Sequence, residues 1–152
     1  MRLEFCHWLQ TNSHLLPFIL FTDEATFTRN GINNTRNSHL WSRENPHGTV
    51  ETNFQRRFSI SVWCGMIGDM LTGPVILDDR MTRQNYLDFQ QNELPKQLEN
   101  VPLATLFAMY FQHDAAPSHY TRHVLHYFSD TFPNRWIGRG SIISWPPRSP
   151  QT

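Results

Sequence analysis

The chain has 152 residues, with 13 Lys and Arg against 13 Asp and Glu, so its formal net charge is zero. The length suits one domain, and the charge balance excludes a basic tail or an acidic solvating segment. Aromatic residues make up 13% of the chain, whereas disordered segments are poor in them, so the chain is expected to fold. Cys6 and Cys64 are too few for a disulfide scaffold and read as reduced thiols of an intracellular protein. The apolar run Leu15-Leu16-Pro17-Phe18-Ile19-Leu20-Phe21 is far shorter than the ~20 residues of a membrane span. No small-residue cleavage site follows it, so neither a membrane anchor nor a signal peptide is expected.

Residues 1–16 read as a short amphipathic helical lead-in, with Leu3, Phe5, Cys6, Trp8 and Leu9 among polar neighbours. Residues 17–152 form the main domain. Phe18–Phe21 is a continuous apolar run, consistent with a strand buried on both faces, and it continues through Asp23-Glu24 to Thr28. Asn30-Gly31 is a hairpin signal. Residues 33–53 are polar and read as a long loop. From Phe58 to Gly65 the chain alternates, with Phe58, Ile60, Val62 and Cys64 on one face and Ser59, Ser61 and Trp63 on the other. Gly68-Asp69 turns the chain into a strand over 71–77, where Gly73-Pro74 marks an edge or a bulge. Thr82 caps a helix running through Leu87, Phe89 and Leu94, with Pro95 restarting or kinking it. Leu106–Phe111 is another apolar run. Pro117 suits the first turn of a helix, along which Tyr120, Val124, Phe128 and Phe132 recur at helical spacing before Pro133. Trp136-Ile137 and Ile142-Ile143 are short apolar pieces. The order predicts an α/β fold whose mixed sheet has three antiparallel strands at one side.

Two of these strands run into an aspartate: Ile19-Leu20-Phe21-Thr22-Asp23 and Tyr110-Phe111-Gln112-His113-Asp114. Side by side and parallel, they would place both carboxylates in one crevice, where open α/β sheets bind ligands. Paired carboxylates repel, and a hard divalent cation such as Mg²⁺ resolves the repulsion. Two such ions can activate one oxygen and stabilise another in phosphodiester chemistry. The competing reading is that each Asp is a turn or cap residue. Alternation points Glu24 to the face opposite Asp23.

Phe21-Thr22-Asp23-Glu24-Ala25-Thr26-Phe27 resembles the first catalytic motif of mariner-like transposases, and Gln112-His113-Asp114-Ala115-Ala116-Pro117-Ser118-His119 resembles the second. Asn45-Pro46-His47, Phe58-Ser59 and Val62-Trp63-Cys64-Gly65 follow the family's internal landmarks in order. So do Arg135-Trp136-Ile137-Gly138-Arg139-Gly140 and Trp145-Pro146-Pro147-Arg148-Ser149-Pro150. The resemblance covers nearly the whole chain. It implies a ribonuclease H-like fold and a triad of acids holding two Mg²⁺ or Mn²⁺ ions. It further implies DNA, as transposon ends and target, as the partner, a homodimer as the common working state, and a nuclear location. Asp23 and Asp114 would be the first two catalytic, metal-binding acids. The third follows a Ser-Pro-Asp-Leu stretch in the family. Here Gln151 stands where that stretch has its Asp, and the third acid falls past Thr152 together with the helix that carries it. The family's N-terminal helix-turn-helix region has no counterpart before residue 17.

The chain thus resembles a catalytic domain cut at both ends. With two of three acids its metal pair is under-coordinated, and the expectation is that these residues alone do not cleave DNA. The alternative is a non-catalytic remnant of a transposable element that binds nucleic acid or protein.

His113 and His119 could contact substrate phosphate or tune the metal site; for His113, packing is an equal reading. Arg139 and Arg148, with Arg56, Arg57 and Arg135, could line a DNA path, although net neutrality predicts weak intrinsic affinity. His119, His123 and His126 fall at i, i+4 and i+7, a conceivable zinc face, with a solvated helix face as the simpler reading. The PxxP pattern of Pro147–Pro150 is a potential domain ligand, but the resemblance explains it better, as the linker to the helix that carries the third acid. Asn33-Asn34-Thr35 is a glycosylation sequon only in a secreted chain. Trp41, Trp63, Trp136 and Trp145 read as core rather than as stacking platforms.

Overall fold

A computed structural model describes residues 2–28, 31–32, 59–77, 81–114 and 116–146. The expectations for residues 33–58 (the long loop, the sequon, Trp41, Arg56 and Arg57), for Ala115, and for residues 147–152 with Arg148 and the PxxP pattern lie outside the described residues.

The chain opens with α1 (Arg2–Thr11) and a 3₁₀ helix over Ser13–Phe18. It then forms β1 (Ile19–Thr28), a short β2 (Gly31–Ile32), β3 (Ser59–Ile67) and β4 (Met70–Leu77). Next come α2 (Arg83–Asp88), a π turn over Phe89–Glu93, α3 (Leu94–Gln97) and α4 (Leu103–Ala108). β5 (Tyr110–Gln112), α5 (Arg122–Thr131) and β6 (Trp136–Ile137) complete the order. The strands make one mixed sheet in the order β4-β3-β1-β5-β6, with β2 paired to β1. β1, β3 and β4 are antiparallel, while β1, β5 and β6 are parallel. Among the described residues no helix is long and apolar enough to cross a membrane.

Alternation sorts the sheet's faces. Leu20, Trp63, Ile67 and Phe111 point into a core closed by Tyr86, Phe89 and Leu94 of the α2–α3 region and by Val124 and Phe128 of α5. Burying such side chains contributes ~1.5–3 kcal/mol each. Tyr110, one residue before Phe111, lies toward α1, where its ring is 6.5 Å from that of Trp8. Over the described residues 59–65 the expected strand parity holds, but the side bearing Trp63 meets the core while Cys64 and Met66 stay exposed.

Several local signals act as their chemistry requires. Gly68 takes φ +59° in the turn between β3 and β4, a conformation that penalises a Cβ. β4 is the sheet edge, and its register against β3 shifts at Gly73-Pro74, where proline's missing N–H is tolerated. Thr82 Oγ1 accepts the Asn85 N–H at 3.2 Å, capping α2. Pro95 cannot donate to the carbonyl four residues back, and just before it Leu94 donates to Phe89, widening the helix into the π turn.

Three expectations are corrected. The run Leu106–Phe111 divides between α4 and β5, because a short continuous apolar run has no period to separate helix from strand. The helix expected from Pro117 begins at Arg122, with Thr121 in the N-cap position and Pro117 in a preceding turn. In the β1–β2 hairpin, Thr28 pairs with Gly31, so Gly31 opens the return strand instead of occupying the turn.

Candidate functional site

The site grows from the pairing of β1 with β5. These strands are parallel neighbours, with Ile19 opposite Tyr110, Leu20 opposite Phe111 and Phe21 opposite Gln112. Continuing the same offset sets Asp114 level with Asp23. The ladder itself stops at Gln112. There the Thr22 N–H donates to the Gln112 side-chain Oε1 at 3.1 Å, and Thr22 Oγ1 donates to the Gln112 carbonyl at 2.8 Å. A buried side chain thus takes the place of the next backbone acceptor. β5 stays tied to β6 through the His113 N–H, which donates to the Ile137 carbonyl at 3.1 Å. The two parallel strands therefore part just before the two aspartates.

Asp23 and Asp114 line one open cleft of about 430 Å³, together with Phe21, Cys64, Met66, Leu71 and Trp145. Asp23 is exposed, and its Oδ1 accepts the Glu24 N–H at 2.9 Å. Asp114 is half-buried, and its Oδ1 accepts the Ala116 N–H at 2.8 Å. Both carboxylates offer hard oxygen donors in a place open to water and phosphate.

Glu24 points the other way, as alternation requires, and meets His119. The His119 Nε2 lies 3.7 Å from Glu24 Oε1, and its Nδ1 lies 2.8 Å from Asp114 Oδ1. One ring nitrogen of a nearly buried histidine thus faces each carboxylate. The Nδ1 contact is close but not aligned as a hydrogen bond. Burial pushes the Glu24 carboxyl above its ordinary range; His119 opposes this, while Asp114 and Asp23 add to it. Donor atoms of Glu24, Asp114 and His119 all lie within 4.8 Å of one another.

His113 is only 1% exposed, and the Tyr86 hydroxyl lies 2.9 Å from its Nδ1. Burial chiefly, and the neighbouring His119, lower its pKa to about 3. This position fits the packing reading of His113 and removes it from direct contact with a surface ligand. Gly138 explains how the ring fits: a Cβ there would sit 2.5 Å from His113 Cδ2 and Nε2.

The proposed zinc face is not assembled. His119 lies in the turn before α5, while His123 and His126 are exposed on the helix and line a separate groove with Arg122, Tyr127 and Asp130. His126 Nδ1 is 2.6 Å from Asp130 Oδ2. The helix starts too late for the i, i+4, i+7 spacing to include His119. Arg139 is exposed, with its guanidinium 4.2 Å from the Tyr120 ring centroid. Half-buried Arg135 donates to the carbonyls of Phe107 and Met109, so its guanidinium holds backbone. Trp63 and Trp136 are core, while Trp145 is half-buried on the cleft.

Sequence reasoning did not single out Tyr86 or Gln112. No local signal marks Tyr86. For Gln112, a polar residue within an apolar strand was the available sign. A scan against protein-family models finds no match to this chain, and a search of curated proteins finds none.

Proposed function

We propose that this chain is a mariner-like transposase catalytic domain of ribonuclease H-like fold, built for metal-dependent cleavage and transfer of DNA phosphodiesters. The observation that carries the reading is the parallel pairing of β1 with β5, which sets Asp23 and Asp114 level at one cleft. A sheet with three antiparallel strands beside two parallel ones supports it. So does the order of the motifs along the chain.

Asp23 and Asp114 would hold Mg²⁺ or Mn²⁺, and their carboxylate oxygens suit both ions. Bound there, such ions would polarise phosphate oxygen and lower the pKa of water. The chain's own residues prepare the place. Gln112 parts the strands, Asp23 stands open to solvent, and the Ala116 N–H orients Asp114. DNA is the partner on this reading, a homodimer the working state and the nucleus the location.

A polypeptide of these 152 residues is proposed to be inactive in cleavage, because two acids leave the metal pair under-coordinated and Glu24, the neighbour of Asp23, turns toward His119. That same orientation favours the second reading, a non-catalytic module that binds nucleic acid or protein. Calorimetric titration with Mg²⁺ and Mn²⁺ tests the site. Saturable binding weakened at least tenfold by Asp23→Asn supports it, and binding indifferent to that substitution sinks it. Mg²⁺-dependent nicking of plasmid DNA, abolished by Asp114→Asn, would overturn the proposed inactivity.

A further inference from the structure

We propose that Glu24, Asp114 and His119 form a second, mixed carboxylate–imidazole site for a late first-row divalent ion of the zinc class. It shares Asp114 with the cleft described above but does not depend on the transposase reading.

The donors come from three separate places: the core-facing side of β1, the residue two beyond β5, and the turn before α5. Their atoms lie within 4.8 Å of one another. Zinc-class ions bind nitrogen and oxygen at ~2.0–2.2 Å, which spaces tetrahedral ligand atoms about 3.3–3.6 Å apart. Only one ring nitrogen can bind a given ion: Nδ1 already stands 2.8 Å from Asp114 Oδ1, whereas the 3.7 Å approach of Glu24 Oε1 is to Nε2, so the Glu24 side chain would swing within the 4.8 Å cluster to join the ion.

The histidine is what distinguishes this cluster from a patch of acids. His119 is 3% exposed, and its Nδ1 makes no aligned hydrogen bond although Asp114 Oδ1 is 2.8 Å away. A buried imidazole nitrogen normally has a partner. Close approach without alignment is how two ligands of one ion stand. Tyr86 stacks on the imidazole with centroids 3.9 Å apart and holds the ring in place. Imidazole selects zinc-class ions, whereas Mg²⁺ prefers oxygen and water. Three protein donors leave a coordination position open, and half-buried Glu24 and Asp114 leave a route for solvent.

The test titrates the 152-residue chain with Zn²⁺ by competition against a chromophoric chelator, and with Co²⁺ by visible absorption. The expected result is one Co²⁺ per chain with a ligand-field spectrum. Affinity for Zn²⁺ should fall at least tenfold in His119→Gln and in Glu24→Gln, consistent with loss of a ligand. It should change less than twofold in His126→Ala, which controls for the surface histidines. In the unsubstituted chain, ring ¹⁵N resonances of His119 should shift on adding Zn²⁺, a readout independent of any variant's folding. Unchanged Zn²⁺ affinity in Glu24→Gln, loss of binding in His126→Ala, or an unshifted His119 ring would each overturn the proposal. Loss of Mg²⁺ binding in Asp23→Asn bears only on the cleft, so either idea can fail without the other.

Discussion

The Tyr86 ring lies against the His119 ring, with centroids 3.9 Å apart and 26° between planes. The Tyr86 hydroxyl reaches His113 at 2.9 Å. A residue of α2 therefore supports both histidines flanking Asp114. Burial raises the Tyr86 pKa well above its ordinary value, with Glu24 and Asp114 adding to the effect, so the hydroxyl keeps its proton and shares a hydrogen bond with His113 Nδ1.

Tyr86→Phe retains the stack and removes the hydrogen bond, leaving a buried ring nitrogen without its partner. The expected loss is about 1–3 kcal/mol, read by urea unfolding. Tyr86→Ala also opens a cavity and should cost about 3–5 kcal/mol. Equal losses for the two substitutions would mean that the stack contributes nothing.

Gly138→Ala would drive a methyl to 2.5 Å from the His113 ring. Overpacking of this kind costs ~1–3 kcal/mol. In a His113→Ala background the methyl has room, so the cost should shrink markedly, and the coupling in a double-mutant cycle should exceed about 0.5 kcal/mol. Additive losses would show that the glycine serves some other contact.

His113 also makes stability depend on pH. Its folded-state pKa is about 3, below the ~6.5 of an unfolded chain. Between these values the unfolded chain binds the extra proton, so stability falls as pH drops from about 6.5 toward 3. The slope is at most about 1.4 kcal/mol per pH unit. Glu24, whose pKa is raised, works in the opposite direction: its protonated form favours the fold, and that contribution is lost as pH rises through its folded-state pKa. Comparing the chain with His113→Asn isolates the histidine. The variant should lose distinctly less stability between pH 6.5 and 4.5 in urea unfolding. Parallel pH profiles would refute the assignment.

Gln112→Leu keeps most of the buried volume and removes the acceptor for the Thr22 N–H. A buried amide without a partner costs about 1–3 kcal/mol. The Thr22 amide should exchange with solvent faster relative to its neighbours on β1, as measured by hydrogen exchange. An unchanged Thr22 rate would show that the side-chain bond is dispensable.

Much of this was legible locally. Alternation separated Asp23 from Glu24, Gly68-Asp69 marked the turn into β4, Gly73-Pro74 marked the edge, and Thr82 marked the start of α2. Each depends on residues within a few positions of one another. The failures came where local rules offer two outcomes. Leu106–Phe111 had no period to choose helix or strand, and Pro117 suited a turn as well as a helix start. The late start of α5 then took His119 away from His123 and His126.

By itself, the sequence determined two apolar segments that each run into an aspartate, and it determined which side of its strand each neighbouring residue faces. Backbone geometry sets those properties residue by residue. Only the tertiary structure decided that β1 and β5 are parallel neighbours and that Asp23 and Asp114 line one cleft. It also decided that His119 turns inward to stand between Glu24 and Asp114. Those relationships join segments far apart in the chain, and they arise from packing against Tyr86 and the core, which no local periodicity encodes.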